Sequence, residues 1–262
     1  MSDDVEYGTR GTLGLLVPQA NTTAEPEVQA LMGPDLLLLT GRLTSPHPGL
    51  QERMVDYLEH IEEFIGTFAN APLAALGFLI TGATYHFNPQ EEDAFFAGLS
   101  AKYGYPIISA GQSIRRAFAA LGAQRIALVS PYPDWLTERS AAYWKRAGVE
   151  IAAIETPVKV GGFHNIYTIR NPAVLAAARR LAPLKTDLVL LAGAGMPTLG
   201  PIMALADEGM QPISSNLCMA WALMQAVAPA EGGAEALRRM LRSDAAWRGV
   251  FSARFPGAVC AS

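Results

Sequence analysis

The sequence has 262 residues, of which 50% are apolar and 17% charged, and its formal net charge is −4. This composition is typical of a globular protein with a large core, and the weak negative charge gives no reason to expect nucleic acid or a membrane as a partner. Two cysteines make no disulfide framework, the first residues lack a basic signal region, and no apolar run is long enough to span a membrane. We therefore expect a cytoplasmic protein.

Short apolar runs alternate with helical patterns along the chain. Such alternation is typical of an α/β protein whose mainly parallel sheet is covered by helices. The runs predicted to be strands cover residues 13–17, 36–39, 75–80, 107–108, 126–129, 149–154 and 188–191. The clearest predicted helices cover residues 54–69, 90–102, 113–121, 137–147, 172–181 and 216–226, the second of them beginning after the helix-capping pair Asn88-Pro89.

Three strand segments recur in the same order in the second half of the chain. GLLVP at 14–18 resembles IALVSP at 126–131, FLITGA at 78–83 resembles VLLAGA at 189–194, and YPIIS at 105–109 resembles QPISS at 211–215. The shared order predicts two pseudo-symmetric lobes, residues 1–112 with 214–262 and residues 113–213. Since ligands bind beyond the carboxyl ends of parallel strands, we expect a cleft between the lobes, lined by loops 18–23, 81–86, 130–135 and 192–198.

Several of these loops resemble the aspartate/glutamate racemase superfamily, in the branch of maleate isomerases and arylmalonate decarboxylases. The segment 17–27, VPQANTTAEPE, is similar to that branch's P-x-x-N-T-x-x-E-P-E motif. Supporting similarities are the Ser130-Pro131-Tyr132 loop, Asn165 in the HNIYTI stretch, and the turn at 213–216. The resemblance implies a two-lobed enzyme that binds a small carboxylate without a cofactor, as a homodimer or higher homo-oligomer.

The resemblance also identifies what this sequence lacks. Members of the superfamily usually place one cysteine in each lobe, and decarboxylases of the arylmalonate type keep only that of the second lobe. By motif alignment the first position falls at Thr81 or Gly82, and the second at Gly193. Neither position holds a thiol, so we expect no thiolate mechanism.

Candidate substrate-binding residues follow from the loops. Free backbone N–H groups at helix starts and glycine turns favour an anion. On this ground, and with Asn165 from the resemblance, the predicted binding residues are Asn21, Thr22, Gly82, Ala83, Thr84, Asn165, Gly193, Ala194 and Gly195. Helix capping explains the first two equally well, and a turn without ligand explains the glycines.

A proton donor or base must come from another side chain. Tyr132 and His86 are the candidates, because one adjoins the second-lobe loop and the other titrates in a useful range. The competing explanation for Tyr132 is packing, and that for His86 is a partly exposed histidine near a helix start. Glu25 and Glu27 lie in a first helical turn, where the helix dipole favours acids, and we interpret them as structural. No metal-ligand cluster and no nucleotide-binding motif is present in the sequence.

Three functions remain open at this stage. The leading hypothesis is a cofactor-independent lyase that cleaves a bond alpha to a carboxylate and stabilises an enediolate with backbone and hydroxyl donors. The second is an isomerase or hydrolase of maleate-like compounds that uses His86, Tyr132 or water. The third is a carboxylate-binding protein without catalytic activity.

Overall fold

The computed structural model describes residues 6–158, 163–229 and 233–260, and their side chains except those of 163–165. The described strands form two four-stranded parallel sheets. The first sheet has the order β2-β1-β3-β4 and the second the order β6-β5-β7-β8. Their bounds are β1 Gly11–Pro18, β2 Leu36–Leu43, β3 Leu73–Phe78, β4 Ile107–Ser109, β5 Arg125–Val129, β6 Glu150–Glu155, β7 Leu188–Leu191 and β8 Pro212–Ser214.

The two sheets repeat one strand order, which confirms the α/β fold and the internal repeat. In each sheet the two inner strands are β1 and β3, or β5 and β7. The strands β4 and β8 lie at the corresponding edges, next to β3 and β7. These are the three pairs of segments that match in sequence. The four residues of β7 and the last four of β5 are completely buried, as expected of parallel strands covered on both faces.

Helices flank both sheets, and the helix that follows β8 packs on β3 and β4 of the first sheet. The division into lobes at residues 112 and 213 stays a prediction. The bounds of the helices are α1 Ala24–Leu31, α2 Leu50–Glu59, α3 Ile61–Gly66, α4 Thr81–Thr84, α5 Pro89–Tyr103, α6 Ala110–Leu121, α7 Asp134–Arg146, α8 Asn171–Leu181, α9 Leu199–Asp207, α10 Ser215–Val227, α11 Gly233–Leu241 and α12 Ala246–Arg254. Within the described ranges, no helix is long and apolar enough to cross a membrane.

One predicted helix is divided in two in the structure, and others begin up to three residues earlier than predicted. The single helix predicted at 54–69 is two helices, α2 and α3, because the backbone leaves the helical conformation at His60 (φ −105°, ψ 17°). The predicted start of α5 is confirmed: Asn88 Oδ1 accepts hydrogen bonds from the N–H groups of Gln90 and Glu91, and the Glu91 carboxylate accepts one from Asn88 N–H. The capping residues therefore identify this boundary in advance, whereas the break at His60 has no such signal.

Candidate active site

A cavity of about 70 Å³ lies at the carboxyl ends of the strands of both sheets. The loops after β1, β3, β5 and β7 all reach it, together with α2 and the short 3-10 helix Phe163–Thr168. In the described part of the chain, no side chain lining it carries a charge at neutral pH. The lining residues are Pro18, Asn21, Leu50, Met54, Tyr57, Leu79, Ile80, Thr81, Gly82, Pro131, Tyr132, Pro133, Leu136, Ile166, Tyr167, Ala194 and Gly195.

Asn21 is the polar residue that the first loop brings to the cavity, and its side chain is almost completely buried. Its Oδ1 accepts hydrogen bonds from the N–H groups of Thr23 (2.8 Å) and Ala24 (2.9 Å). Because those two donors fix the carboxamide oxygen, the Nδ2 group is left to donate to a ligand. Asn21 thus has the capping contacts that the sequence allows, and its Nδ2 group has no acceptor among the described residues. Thr22 is exposed and does not line the cavity.

The turn after β3 contributes Thr81 and Gly82 to the cavity. Thr81 donates its hydroxyl proton to Ser215 Oγ at 2.9 Å, so the hydrogen bond joins this turn to α10. The other two predicted donors are used inside the turn. Thr84 Oγ1 donates to the Thr81 carbonyl (2.8 Å), and Ala83 N–H donates to the Ile80 carbonyl (3.1 Å). The structure therefore does not bring Ala83 or Thr84 to the cavity.

The turn after β7 supplies two free backbone donors. Ala194 and Gly195 line the cavity, and among the described residues neither of their N–H groups has a hydrogen-bond acceptor. Gly193 differs, since its N–H donates to Ser215 Oγ at 3.2 Å and is not available to a ligand. Its φ of +91° is one that other residues rarely adopt, so this glycine shapes the turn.

Tyr132 places a phenol between the two turns. A Cβ added to Gly193 would lie 3.2 Å from the Tyr132 oxygen, and the Tyr132 ring meets the Tyr85 ring edge to face. Burial raises the pKa of Tyr132 well above its ordinary value, the nearby Tyr85 raises it further, and a hydrogen bond with Thr81 opposes both. Tyr132 is therefore a neutral hydrogen-bond donor over the physiological pH range.

The rest of the cavity wall is mainly apolar. Leu50 and Met54 on α2, Leu136 on α7, and Ile166 make up much of it. Tyr57 and Tyr167 also line the cavity, and burial raises the pKa of both phenols. The sequence analysis did not identify these residues, because nothing local in α2 or in residues 163–168 marks them as neighbours of the strand ends.

His86 and Asn165 are the remaining predicted site residues. His86 does not line the cavity; its Nδ1 lies 3.4 Å from a guanidinium nitrogen of Arg139. Burial and the Arg139 charge lower the pKa of His86, so its imidazole is neutral at pH 7. Asn165 belongs to the 3-10 helix, but its side chain lies outside the described residues.

Neither cysteine of the chain lines the cavity. Cys218 lies in α10, where burial raises the pKa of its thiol, and Cys260 lies near Gly200, far along the chain from the four loops. A protonated, buried thiol is a poor nucleophile. The arrangement therefore favours chemistry that depends on hydrogen-bond donors rather than on a thiolate.

The raised phenol pKa values predict how stability depends on pH. A group that binds its proton more tightly in the folded state stabilises the fold fully below its unfolded pKa, near 10 for tyrosine, and this contribution is lost as pH rises towards the folded pKa. We expect the free energy of unfolding to fall above pH 10 by up to about 1.4 kcal/mol per pH unit for each such tyrosine. Urea denaturation at several pH values measures the slope, and Tyr132→Phe should reduce it. An unchanged slope in this variant would show that Tyr132 titrates normally.

Comparisons with known proteins agree with the fold. The sequence model of the arylmalonate decarboxylase family matches residues 13–241. Maleate isomerases from Geobacillus stearothermophilus and Nocardia farcinica are 25% and 26% identical over 227 and 251 residues. These alignments cover 78% and 89% of this chain, and 86% and 96% of those proteins.

Two solved structures show the same fold. One is a cysteine-to-serine mutant of N. farcinica maleate cis-trans isomerase with a covalently bound succinylcysteine intermediate. It has a TM-score of 0.77 and 23% identity, over 89% of this chain and 99% of that one. The other is arylmalonate decarboxylase, with a TM-score of 0.68 and 19% identity, over 85% of this chain and 95% of that one.

Proposed function

The chain belongs to the arylmalonate decarboxylase family, and from this membership we propose that it is a lyase that decarboxylates small malonates carrying an apolar substituent. The reaction needs neither a cofactor nor a thiolate. The carbon–carbon bond to one carboxylate breaks and CO₂ leaves. The bonding electrons form an enediolate on the remaining carboxylate, and a proton then adds to the alpha carbon. The balance is one malonate dianion and one proton giving one monocarboxylate and CO₂.

The observation that carries the proposal is a set of neutral donors beside an apolar wall. Asn21 Nδ2, the Tyr132 hydroxyl and the N–H groups of Ala194 and Gly195 all belong to residues that line one small cavity. Preorganised neutral donors stabilise the charge that develops on an enediolate more than they stabilise the starting carboxylate. These donors suit the one carboxylate that the substrate keeps after CO₂ leaves.

The apolar wall supports cleavage rather than the binding of a second, fully charged end. A carboxylate held against Leu50, Met54 and Leu136 loses hydration without gaining a hydrogen bond, whereas neutral CO₂ loses much less. The same wall accepts an alkyl or single aryl substituent. The limited volume, about 70 Å³, favours small substituents.

Tyr132 is the proton donor in this proposal. Its raised pKa keeps the phenol protonated, and an enediolate is basic enough at carbon to take a proton from a neutral phenol. The Tyr132 oxygen lies beside the space that a side chain at Gly193 would enter, so the phenol stands where the resemblance places a thiol in relatives. Water restores the proton to Tyr132 after each turnover.

A substrate panel tests the proposal directly. We expect the purified protein to release CO₂ from methylmalonate or phenylmalonate and, in D₂O, to leave deuterium at the alpha carbon of the product, both measurable by NMR. Maleate should not be converted to fumarate. Conversion of maleate without CO₂ release from any malonate would contradict the proposal.

Maleate isomerisation is the second candidate, because the two curated relatives in the comparison are maleate isomerases. A structural observation also favours it: the buried guanidinium of Arg53 lies beside Tyr57, and its charge acts on Tyr167, so a second carboxylate at this end would meet a positive charge. Tyr132, His86 or water would supply the acid or base. A protein that binds these acids and turns over none of them would be the non-catalytic alternative.

A further inference from the structure

Glu27 is a buried carboxylate that belongs to one sheet's helix and binds groups next to the other sheet. It lies on α1, is 5% exposed, and accepts four hydrogen bonds. The N–H groups of Thr198 (2.6 Å) and Leu199 (3.0 Å) donate to Oε1, while Thr198 Oγ1 (2.6 Å) and Asn216 Nδ2 (2.7 Å) donate to Oε2. No cation lies within ion-pair distance of Glu27 in the described ranges. Burial raises the pKa of this carboxyl, and the four hydrogen bonds oppose that rise.

The donors to Glu27 lie at the end of the loop that lines the cavity. Thr198 and Leu199 begin α9, whose N-terminal N–H groups and dipole favour a carboxylate. The loop between β7 and α9 contains Ala194 and Gly195, both of which line the cavity. Glu27 therefore fixes the end of this loop from the opposite lobe.

Asn216 carries the contact from Glu27 to the cavity itself. Its Nδ2 group donates to Glu27 Oε2 and, over 3.4 Å, to the carbonyl oxygen of Ala194. The peptide bond after Ala194 is trans, so its N–H, which belongs to Gly195, points roughly opposite to that carbonyl. Fixing the carbonyl on Asn216 thus aims the free Gly195 N–H away from α10. Thr23 Oγ1 fixes the next carbonyl, that of Gly195, at 3.0 Å.

The repeated fold supplies an internal comparison. In the other half of the repeat, α7 and α5 correspond to α1 and α9. There the buried carboxylate, Glu92, lies on α5, the counterpart of α9, and accepts hydrogen bonds from Ser109 and Tyr143. Glu92 is paired with a cation, Arg115, at 3.1 Å, and bonds to none of the cavity turns. Both carboxylates are buried, but of the two only Glu27 is linked to a cavity donor.

We propose that Glu27 is a positioning residue which, through Asn216 and the start of α9, aims the Gly195 N–H at the carboxylate of the substrate. This inference rests on the proposed function in one respect, that Gly195 N–H binds the carboxylate. Glu27 touches no reacting atom. Its contribution is to hold the Gly195 N–H at a fixed position relative to Asn21 Nδ2. Asn21 precedes α1, the helix that carries Glu27.

Glu27→Gln tests this role without changing side-chain volume. If the glutamine NH₂ group faces the Thr198 and Leu199 N–H groups, both contacts are lost. If it faces the Thr198 hydroxyl and Asn216, the contact with Asn216 Nδ2 is lost, since the hydroxyl can accept a hydrogen bond but the amide NH₂ group cannot. We expect kcat/KM for phenylmalonate to fall by up to about 10²-fold, because a small displacement of a binding group has effects of that size. We also expect the affinity for phenylacetate, measured by calorimetry, to fall. Phenylacetate cannot be decarboxylated in this way, so its affinity reports binding alone.

Two matched glutamines serve as controls. Glu25→Gln changes an exposed acid in the same helical turn, paired with Arg42, and should leave kcat/KM and phenylacetate affinity within about threefold of wild type. Glu92→Gln changes the buried carboxylate at the contact between α5 and α7 and should lower Tm. It should leave kcat/KM and phenylacetate affinity within about threefold of wild type. If Glu27→Gln behaves like Glu92→Gln, with a lower Tm and unchanged phenylacetate affinity, the positioning role is refuted.

A double-mutant cycle separates positioning from general stabilisation. If Glu27 acts through Asn216, then Glu27→Gln with Asn216→Ala should weaken phenylacetate binding no more than either change alone; additive losses would contradict the proposal. If Glu27→Gln does not fold, Thr198→Val removes one donor to Glu27 and should weaken binding in the same direction. If the protein binds phenylacetate but turns over no malonate, the proposed function is overturned. The positioning role of Glu27 is then decided by the phenylacetate affinities of the variants alone. Absence of both would overturn the two together.

Discussion

Replacing Tyr132 with phenylalanine is expected to lower kcat by about 10²- to 10⁴-fold, the usual contribution of a positioned general acid. Phenylalanine keeps the ring that meets Tyr85 edge to face at 6.2 Å, so the packing is retained and only the hydroxyl is removed. Since the Tyr132 hydroxyl stabilises the developing enediolate as well as protonating it, kcat and kcat/KM should fall together while KM changes little. Steady-state rates of CO₂ release from phenylmalonate measure this.

The control for this experiment is Tyr7→Phe, which removes the hydroxyl of a tyrosine that is 80% exposed. It should have wild-type kinetics, and both variants should keep a wild-type circular dichroism spectrum. A Tyr132→Phe enzyme that retains its rate within about threefold would eliminate Tyr132 as the proton donor. In that case His86→Ala becomes the informative variant, because the second candidate function gives that residue a role.

Introducing a thiol at the two glycines should have unequal effects. At Gly193, φ is +91° and an added Cβ would lie 2.7 Å from Pro131 Cγ, so Gly193→Cys combines backbone strain with a steric clash. These effects cost about 1–2 and 1–3 kcal/mol respectively, and we expect a loss of about 2–5 kcal/mol in the free energy of unfolding. At Gly82 the nearest atom is Met54 Sδ at 2.9 Å, the end of a flexible side chain, and Gly82→Cys should cost about 1–2 kcal/mol.

Urea denaturation of both variants measures this difference, and Gly193→Ala separates the backbone strain from the thiol. Gly193→Cys should also lower the rate of decarboxylation, because the new side chain would enter within 3.2 Å of the Tyr132 oxygen. A stable Gly193→Cys variant that isomerises maleate would show instead that the turn adapts to a thiol.

The sequence predicted several of the residues that line the cavity, because these residues follow directly after strands. The loops after β1, β3, β5 and β7 carry Asn21, Gly82, Tyr132, Ala194 and Gly195, and the structure brings all five to one cavity. Parallel strands bring their carboxyl ends to one edge of a sheet, so a motif that follows a strand is placed by topology.

Other predicted residues lie in the same loops but do not line the cavity. Thr22 is exposed, Thr84 and Ala83 form hydrogen bonds within their own turn, and Gly193 donates to Ser215. His86 contacts Arg139 instead of the cavity. Which donor in a turn is free depends on hydrogen-bond partners elsewhere in the chain, and a local motif does not specify them.

The sequence by itself determined the duplicated parallel architecture, the family and the absence of a thiol from the loops, because strand patterns and motifs are properties of neighbouring residues. The tertiary structure decided which backbone N–H groups of the described residues remain free, which helices build the apolar wall, and that Glu27 is linked to a donor in the loop after β7 of the other sheet. Glu27 lies 171 residues from Thr198 and 189 from Asn216. Contacts of that separation form only when segments far apart in the sequence pack together, and for this reason the first helical turn gave no sign of them.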